Sequence, residues 1–215
     1  MAQRRAAVLG SPVSHSLSAV LHRAAYLALD LPHWRFDAIE CDDVALPSFV
    51  AGLGLEWAGL SVIVPAKRAA LDLADSVTPT ALAVGAANTL VYGPDRGWLA
   101  DCTDVDGVVG SLAAYGVTAA RSAVVLGAGA MAAAAIVGLS RLGVSSLTVA
   151  ARSALRATAV SDGGGRLATG LDVLLHQAFR QVQLFTRHPA PRAAMRSALR
   201  AAVGPDCPPL PLSAS

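Results

Sequence analysis

Three polar clusters in the first half of the chain carry side chains able to move a proton or grip a carboxylate. In the first, residues 10–18 read Gly-Ser-Pro-Val-Ser-His-Ser-Leu-Ser, and His22 follows. The hydroxyls of Ser16 and Ser18 stand at the start of a helical stretch, where they either cap it or bind a carboxylate at its positive end. The second, Val-Pro-Ala-Lys, ends at Lys67. An ammonium at a strand-to-helix junction is usually solvated, but inside a cleft it is a proton donor with an adjusted pKa. The third combines Gly-Ala-Ala-Asn-Thr at 85–89 with Asp-Cys-Thr-Asp-Val-Asp-Gly at 101–107. Asn88 offers a donor and an acceptor. Asp104 is either a helix N-cap or the partner of Lys67. A Lys–Asp pair facing a keto or hydroxyl group is an acid–base arrangement.

A fourth motif is of another kind. Residues 127–132 read Gly-Ala-Gly-Ala-Met-Ala, after a strand-like run and ahead of an Ala-rich helix. That context suits G-x-G-x-x-[GA]. Gly127 gives the tight turn, Gly129 lets backbone approach a pyrophosphate, and Ala132 lets helix pack on strand, with Ala128 and Ala130 between them. The next strand ends in Ala151-Arg152-Ser153. An acidic residue there would hold a ribose hydroxyl. A guanidinium suits a 2′-phosphate instead, which favours NADP over NAD.

These groups need a frame. Strands are predicted at 5–10, 34–40, 59–64, 89–92 and 97–100, and helices at 18–29 and 44–53. Pro65 opens a third helix and Asp104 caps one reaching to about 115. A Gly-Pro-Asp turn joins the last two strands. The alternation argues an α/β fold with an open, mostly parallel sheet. A second unit follows, with strand 122–126, helix 131–142 and strand 146–150. Then comes a loop at 161–165 and amphipathic helices at 171–185 and 191–203. This second unit is short for a dinucleotide fold, which uses about six strands.

Composition narrows the classes. Hydrophobic residues make up 54% and charged residues 15% of the 215, so real cores are available. A net charge of +2 without like-charge blocks points away from nucleic acid. Cys41, Cys102 and Cys207 are scattered, which argues against a disulfide framework or metal site and for a cytoplasmic compartment. No signal-peptide run follows Arg4 and Arg5. Residues 122–140 lack charge, but they divide into strand, glycine turn and helix rather than a membrane span.

The order of the motifs resembles that of the shikimate dehydrogenase family. That family's G-x-P-x-x-H-S-x-S-P is met by Gly10, Pro12, His15, Ser16 and Ser18. Its N-V-T-x-P-x-K is met by Pro65 and Lys67, its G-A-x-N-T by Gly85, Ala86, Asn88 and Thr89, and its N-T-D-x-x-G by Thr103, Asp104 and Gly107. The glycine loop and Arg152 follow, and the late M-L-x-x-Q-A helix is met by Leu174, Leu175, Gln177 and Ala178.

The resemblance implies reversible hydride transfer between NADPH and 3-dehydroshikimate, giving shikimate, in aromatic amino-acid synthesis. It implies that Ser16 and Ser18 hold the carboxylate, Asn88 and Gln177 the ring hydroxyls, and Lys67 and Asp104 the reacting oxygen. Gly127 to Ala132 and Arg152 would hold the cofactor. It divides the chain into a substrate domain at 1–104, a truncated Rossmann-like NADP domain at 105–165, C-terminal helices at 166–203 that pack back on the substrate domain, and a tail at 204–215. The expected partner is the small acid, with a homodimer as a candidate assembly. Departures are Ile63 for the family Thr, Ser61 and Cys102 for Asn, Ala19 for Pro, Ala130 for Gly, Ala151 for Asn, and a gap near 156–163. They leave two alternatives open: an inactive shikimate-binding remnant, and a quinate-type dehydrogenase.

Overall fold

The computed structural model describes residues 3–93, 97–126, 129–150, 169–205, 207 and 209–212. Gly127, Ala128, Arg152, the gap near 156–163, the loop at 161–165 and most of the Gly-Pro-Asp turn lie outside the described residues.

The first sheet is built from β1 (Arg4–Gly10), β2 (Trp34–Glu40), β3 (Trp57–Val62), β4 (Ser76–Val77), β5 (Thr89–Gly93) and β6 (Gly97–Asp101). Their spatial order is β2-β1-β3-β5-β6-β4. β1 pairs in parallel with β2 and β3, and β4 with β6, whereas β5 runs antiparallel to both β3 and β6. A short hairpin connection allows only antiparallel pairing. The sheet is therefore mostly parallel, with β5 reversed in its middle.

Strand alternation sends residues to two cores. Ala6 and Val8 of β1 face one core; Ala7 and Leu9 face the other. The second of these lies under α2 (Leu46–Ala51) and α3 (Lys67–Leu73). The first lies under α1 (Ser18–Ala28) and the two C-terminal helices, α7 (Gly170–Thr186) and α8 (Arg192–Val203). Leu175, Ala178, Phe179, Val182 and Phe185 of α7 and Met195 and Leu199 of α8 are all buried there. The end of the chain thus returns to cover one face of the first sheet. α7 starts one residue earlier than its apolar pattern predicts. Thr169 accepts from the Asp172 N–H, and the Asp172 carboxylate accepts from the Thr169 N–H, a reciprocal cap.

A second, two-stranded sheet pairs β7 (Ser122–Leu126) in parallel with β8 (Ser146–Ala150) among the described residues. The connecting α6 (Ala130–Arg141) packs on α5 (Asp104–Ala114) through Gly138, against Val108 and Val109.

Several starts differ from their sequence-based positions. Pro65 lies in the turn before α3, because the turn closed by the Ala66 N–H on the Ile63 carbonyl delays the helix to Lys67. Ser18 is the first helical residue of α1, and Leu17 occupies the cap without a side-chain bond. Asp104 is the first helical residue of α5, with Thr103 at the cap. β4 and α4 (Pro79–Val84) have no counterpart in the predicted elements. The signal for α4 is present nonetheless. Thr78 caps it, Pro79 opens it, and Gly85 closes it with φ +72°, a left-handed conformation that favours glycine.

α5 and α7 cross in close contact at Gly107. A Cβ on Gly107 would lie 2.7 Å from the Val173 carbonyl oxygen and 3.0 Å from Gln177 Cβ. Gly107→Ala therefore forces α7 outward, with an expected loss of about 1–3 kcal/mol. The urea midpoint checks this; an unchanged midpoint would mean that α7 yields freely.

Candidate active site

Lys67, Asn88, Asp104 and Gln177 meet at one point. The Lys67 Nζ donates to Asp104 Oδ2 at 2.6 Å, and Asn88 Nδ2 donates to Asp104 Oδ1 at 2.8 Å. Asn88 Nδ2 also reaches Gln177 Oε1 at 3.3 Å. Lys67 is 9% exposed and Asp104 6%, so the pair is nearly out of water. The local folding explains how. Lys67 is the first residue of α3, and its carbonyl accepts from the Ala87 N–H, which ties it to the loop leading into β5. Asn88 precedes β5, and its N–H donates to the Asp101 carbonyl at the end of β6. Asp104 opens α5 just beyond that strand.

The helix ends bias the two charges in opposite senses. A carboxylate at the N-terminus of α5 is favoured by the helix dipole; an ammonium at the N-terminus of α3 is not. Lys67 therefore depends on Asp104 for its charge balance. A buried charge that loses its partner costs about 3–5 kcal/mol.

The four residues line a cleft of about 650 Å³. Ser18 and Ser61 line it as well, and Ile63, Met131, Val173 and Leu174 make its apolar wall. Ser16 stands aside from this lining. Its Oγ accepts from the Ser18 N–H at 3.4 Å, a contact at the helix entry. Met131 belongs to the first turn of α6, so the second sheet's helix meets the mouth of the cleft.

Residues without an assigned role in the sequence reading hold the floor together. Asn88 Oδ1 accepts from the Thr103 N–H and the Thr89 hydroxyl, both at 2.8 Å. Thr103 Oγ1 donates to Gln177 Oε1 at 3.2 Å. Gln181, one turn beyond Gln177 and fully buried, shares the two protons of its amide nitrogen among Ser61 Oγ, Thr89 Oγ1 and the Asn88 carbonyl. A glutamine on the buried face of an amphipathic helix was the available signal, since a buried amide must find partners. Cys102 is buried beside Asp104, and both effects push its thiol up to about 12. It is a neutral packing group at neutral pH, not a nucleophile.

The α6 N-terminus suits a phosphate. Gly129 caps it in extended conformation, without a side-chain bond and with no acidic residue in the first turn. Among the described residues a Cβ on Gly129 would meet nothing within 4 Å, and a helix N-terminus with free space beside it is a place where an anion can sit. Among the described residues, no group of three His, Cys, Asp or Glu could hold a metal ion. No helix of the described residues is long and apolar enough to cross a membrane.

The described residues thus set a buried Lys–Asp pair at the strand ends of one α/β sheet and a glycine-capped helix in a second, smaller one. Comparison with known proteins gives the family. The shikimate dehydrogenase substrate binding domain matches residues 8–90, and the shikimate 5′-dehydrogenase C-terminal domain matches residues 170–200. A shikimate dehydrogenase (NADP(+)) of Methylobacterium radiotolerans is 41% identical over 167 residues, covering 75% of this chain and 59% of that protein. The crystal structure of a shikimate 5-dehydrogenase from Mycobacterium fortuitum superposes with a TM-score of 0.84 at 39% identity, covering 92% of this chain and 98% of that one. A shikimate 5-dehydrogenase from Thermus thermophilus, solved in complex with shikimate, superposes with a TM-score of 0.83 at 25% identity, covering 94% and 100%. The chain belongs to the shikimate dehydrogenase family. It spans about half to three-fifths of the length of curated relatives that carry the single activity, 50% and 59% in two of them.

The floor also carries a pH signature. His22 is fully buried, and burial pulls its imidazole down to about 4, partly offset by the bond to Gln181. Between about 6.5 and about 4 the unfolded chain binds a proton that the folded chain refuses. Stability is therefore full above about pH 6.5 and is lost as pH falls through about 4, by roughly 3 kcal/mol for this group. Burial lowers His176 too, in the same sense. Urea midpoints at pH 7 and 4.5 check this: His22→Phe removes the His22 share, and an unaltered pH slope would show that another group sets it.

Proposed function

We propose that the chain is an NADP-dependent shikimate dehydrogenase, interconverting 3-dehydroshikimate and shikimate in aromatic amino-acid synthesis. The observation that carries this reading is the buried Lys67–Asp104 pair, 2.6 Å apart, opening into a cleft of about 650 Å³. An ion pair kept from water at the wall of a cleft is poised for proton transfer rather than for stability. Similar proteins carry the matching names: the Methylobacterium relative is called NADP-dependent, and the Thermus protein was solved with shikimate.

In the reducing direction the substrate ketone becomes a secondary alcohol. NADPH, when bound, supplies the hydride to the carbonyl carbon. Lys67 gives a proton to the carbonyl oxygen and recovers one from solvent. Asp104 holds the ammonium in place, and Asn88 holds Asp104 from its other oxygen. Gln177 has one amide proton on the Leu174 carbonyl, which leaves the other for a ring hydroxyl. Ser18, buried at the cleft, and Ser16 beside it receive the carboxylate. The N-terminus of α6 at Gly129 would receive the cofactor's pyrophosphate, as part of the motif that Gly127, Ala128, Ala130 and Ala132 complete in the sequence, and Arg152 would take the 2′-phosphate. A cytoplasmic location and a homodimer belong to the same reading, and three free cysteines support the former. The division at 1–104, 105–165 and 166–203 does too, supported by the two separate sheets and the returning helices.

One observation favours a second reading, a remnant that binds the acid without turnover. β8 ends at Ala150 and α7 begins at Gly170, which leaves little chain for the further strands that a dinucleotide fold uses.

NADP reduction at saturating shikimate separates the two. Turnover that falls about 100-fold or more in Lys67→Ala supports the enzyme. A folded chain without turnover rejects it. Shikimate is also expected to raise the melting temperature, and Asp104→Ala to abolish the rise; an equal rise in the variant would remove Asp104 from the binding site.

A further inference from the structure

Under the floor of the cleft lies a chain of hydrogen bonds oriented by backbone groups that can only accept or only donate. It starts at His22 and ends on the Asp104 carboxylate. Gln181 Nε2 faces the Asn88 backbone carbonyl at 3.2 Å, and a carbonyl only accepts. The amide nitrogen of Gln181 must point there, so its Oε1 points at His22 Nε2, 3.2 Å away. His22 therefore donates from Nε2 and leaves Nδ1 bare. That agrees with a neutral ring: Nδ1 has no partner among the described residues, and the imidazole stacks on Phe36 at 4.1 Å between centroids.

From Gln181 the protons run one way. Its amide donates to Thr89 Oγ1 at 3.0 Å, so the Thr89 hydroxyl turns its own proton away from Gln181, with Asn88 Oδ1 at 2.8 Å as the nearer acceptor and Thr103 Oγ1 at 3.1 Å as the other. With its oxygen taken by Thr89 and by the Thr103 N–H, Asn88 presents its amide nitrogen to Asp104 Oδ1. A flipped Asn88 would set an oxygen against that carboxylate. Ser61 Oγ lies 3.1 Å from the Gln181 amide nitrogen and shares its two protons with the other two acceptors. The Ser61 proton has no acceptor among the described residues, and Ser61 lines the cleft, so the proton is aimed at whatever fills it.

We propose that Gln181 is a positioning residue of this site: anchored by His22, its amide sets the proton directions of Ser61 and Thr89 and, through Thr89, the orientation of Asn88 against Asp104. Gln181 does not line the cleft. It acts from beneath, on the same helix as Gln177 and one turn away. The inference rests on the site's geometry; its kinetic consequences rest on the dehydrogenase reading.

Gln181→Met keeps the length of the side chain and removes every polar atom. The expected result is faster solvent exchange of the Asn88 side-chain amide protons, by about tenfold, read by 15N NMR on the full chain. In turnover assays the variant is expected to lose about tenfold in kcat and to raise the shikimate KM at least threefold. His22→Phe keeps the ring stack and removes the anchor, so it moves exchange and kcat the same way by less. The double variant is expected within twofold of Gln181→Met, since both act through one chain. Unchanged Asn88 exchange in Gln181→Met overturns the proposal, whatever happens to the melting temperature. If that variant does not fold, unchanged exchange in His22→Phe overturns it instead. The exchange measurement needs neither substrate nor cofactor. A wild-type chain without turnover would therefore reject the dehydrogenase reading and leave this test standing.

Discussion

Taking an ammonium and a carboxylate out of water together is the constraint around which this molecule is arranged. The attraction within such a pair rarely repays desolvation unless further hydrogen bonds serve the remaining lone pairs. Here Asp104 meets that condition through Asn88 on its second oxygen and through the N-terminus of α5. Lys67 has no such help from its own helix, whose N-terminal dipole opposes it. The pair is therefore held by its surroundings rather than by its own geometry. Those surroundings are strand ends. Reversing β5 between β3 and β6 sets residues 88 and 89 against residues 101 and 103, which brings two loops to one point.

The fourth side of the site comes from far along the chain. Gln177 and Gln181 lie 89 and 93 residues beyond the Asn88 groups they touch. Such contacts need α7 to lie very close to the sheet and to α5, and glycines make the room. A Cβ on Gly59 would lie 2.2 Å from Phe185, and one on Gly110 would lie 2.6 Å from His176 Nδ1. Gly107 does the same beside Gln177. Close approach of α7 is thus what converts two amides on one helix into a wall and a floor. It is also why the helices after residue 169 belong structurally with the first sheet rather than with the second.

Much of this was legible in the sequence, for particular reasons. β2 and α7 announce themselves by period, β1 by its unbroken apolar run, and Lys67, Asn88 and Asp104 by residue type at element ends. The alternative roles of Asp104 were equally visible, but the choice between them was not. Its placement on the first turn of α5 leaves its side chain for Lys67, while Thr103 takes the cap position. β4 and α4 escaped because elements of two and six residues show no period. Gln181, Thr89 and Thr103 escaped because their meaning lies in partners up to 120 residues away, which spacing along the chain does not encode.

The two sides of the cleft discriminate ligands with unequal power. On the apolar side, Ile63, Val173, Leu174 and Met131 can distinguish shapes only by about 1–3 kcal/mol per misplaced methylene. Ile63 is further constrained, since its Cγ1 occupies the niche where a Cβ on Gly10 would stand, only 2.0 Å away. The polar side is different. Ser61 and Gln177 each present a proton without a protein acceptor among the described residues, and a ligand lacking the matching oxygen leaves a buried donor unpaired. Sites built to hydrogen-bond a hydroxyl reject analogues lacking it far more sharply than apolar walls reject a change of size. Selectivity in this cleft therefore resides in its floor, in the proton directions of a few side chains. An apolar residue at position 63 shifts the burden of recognition further onto them.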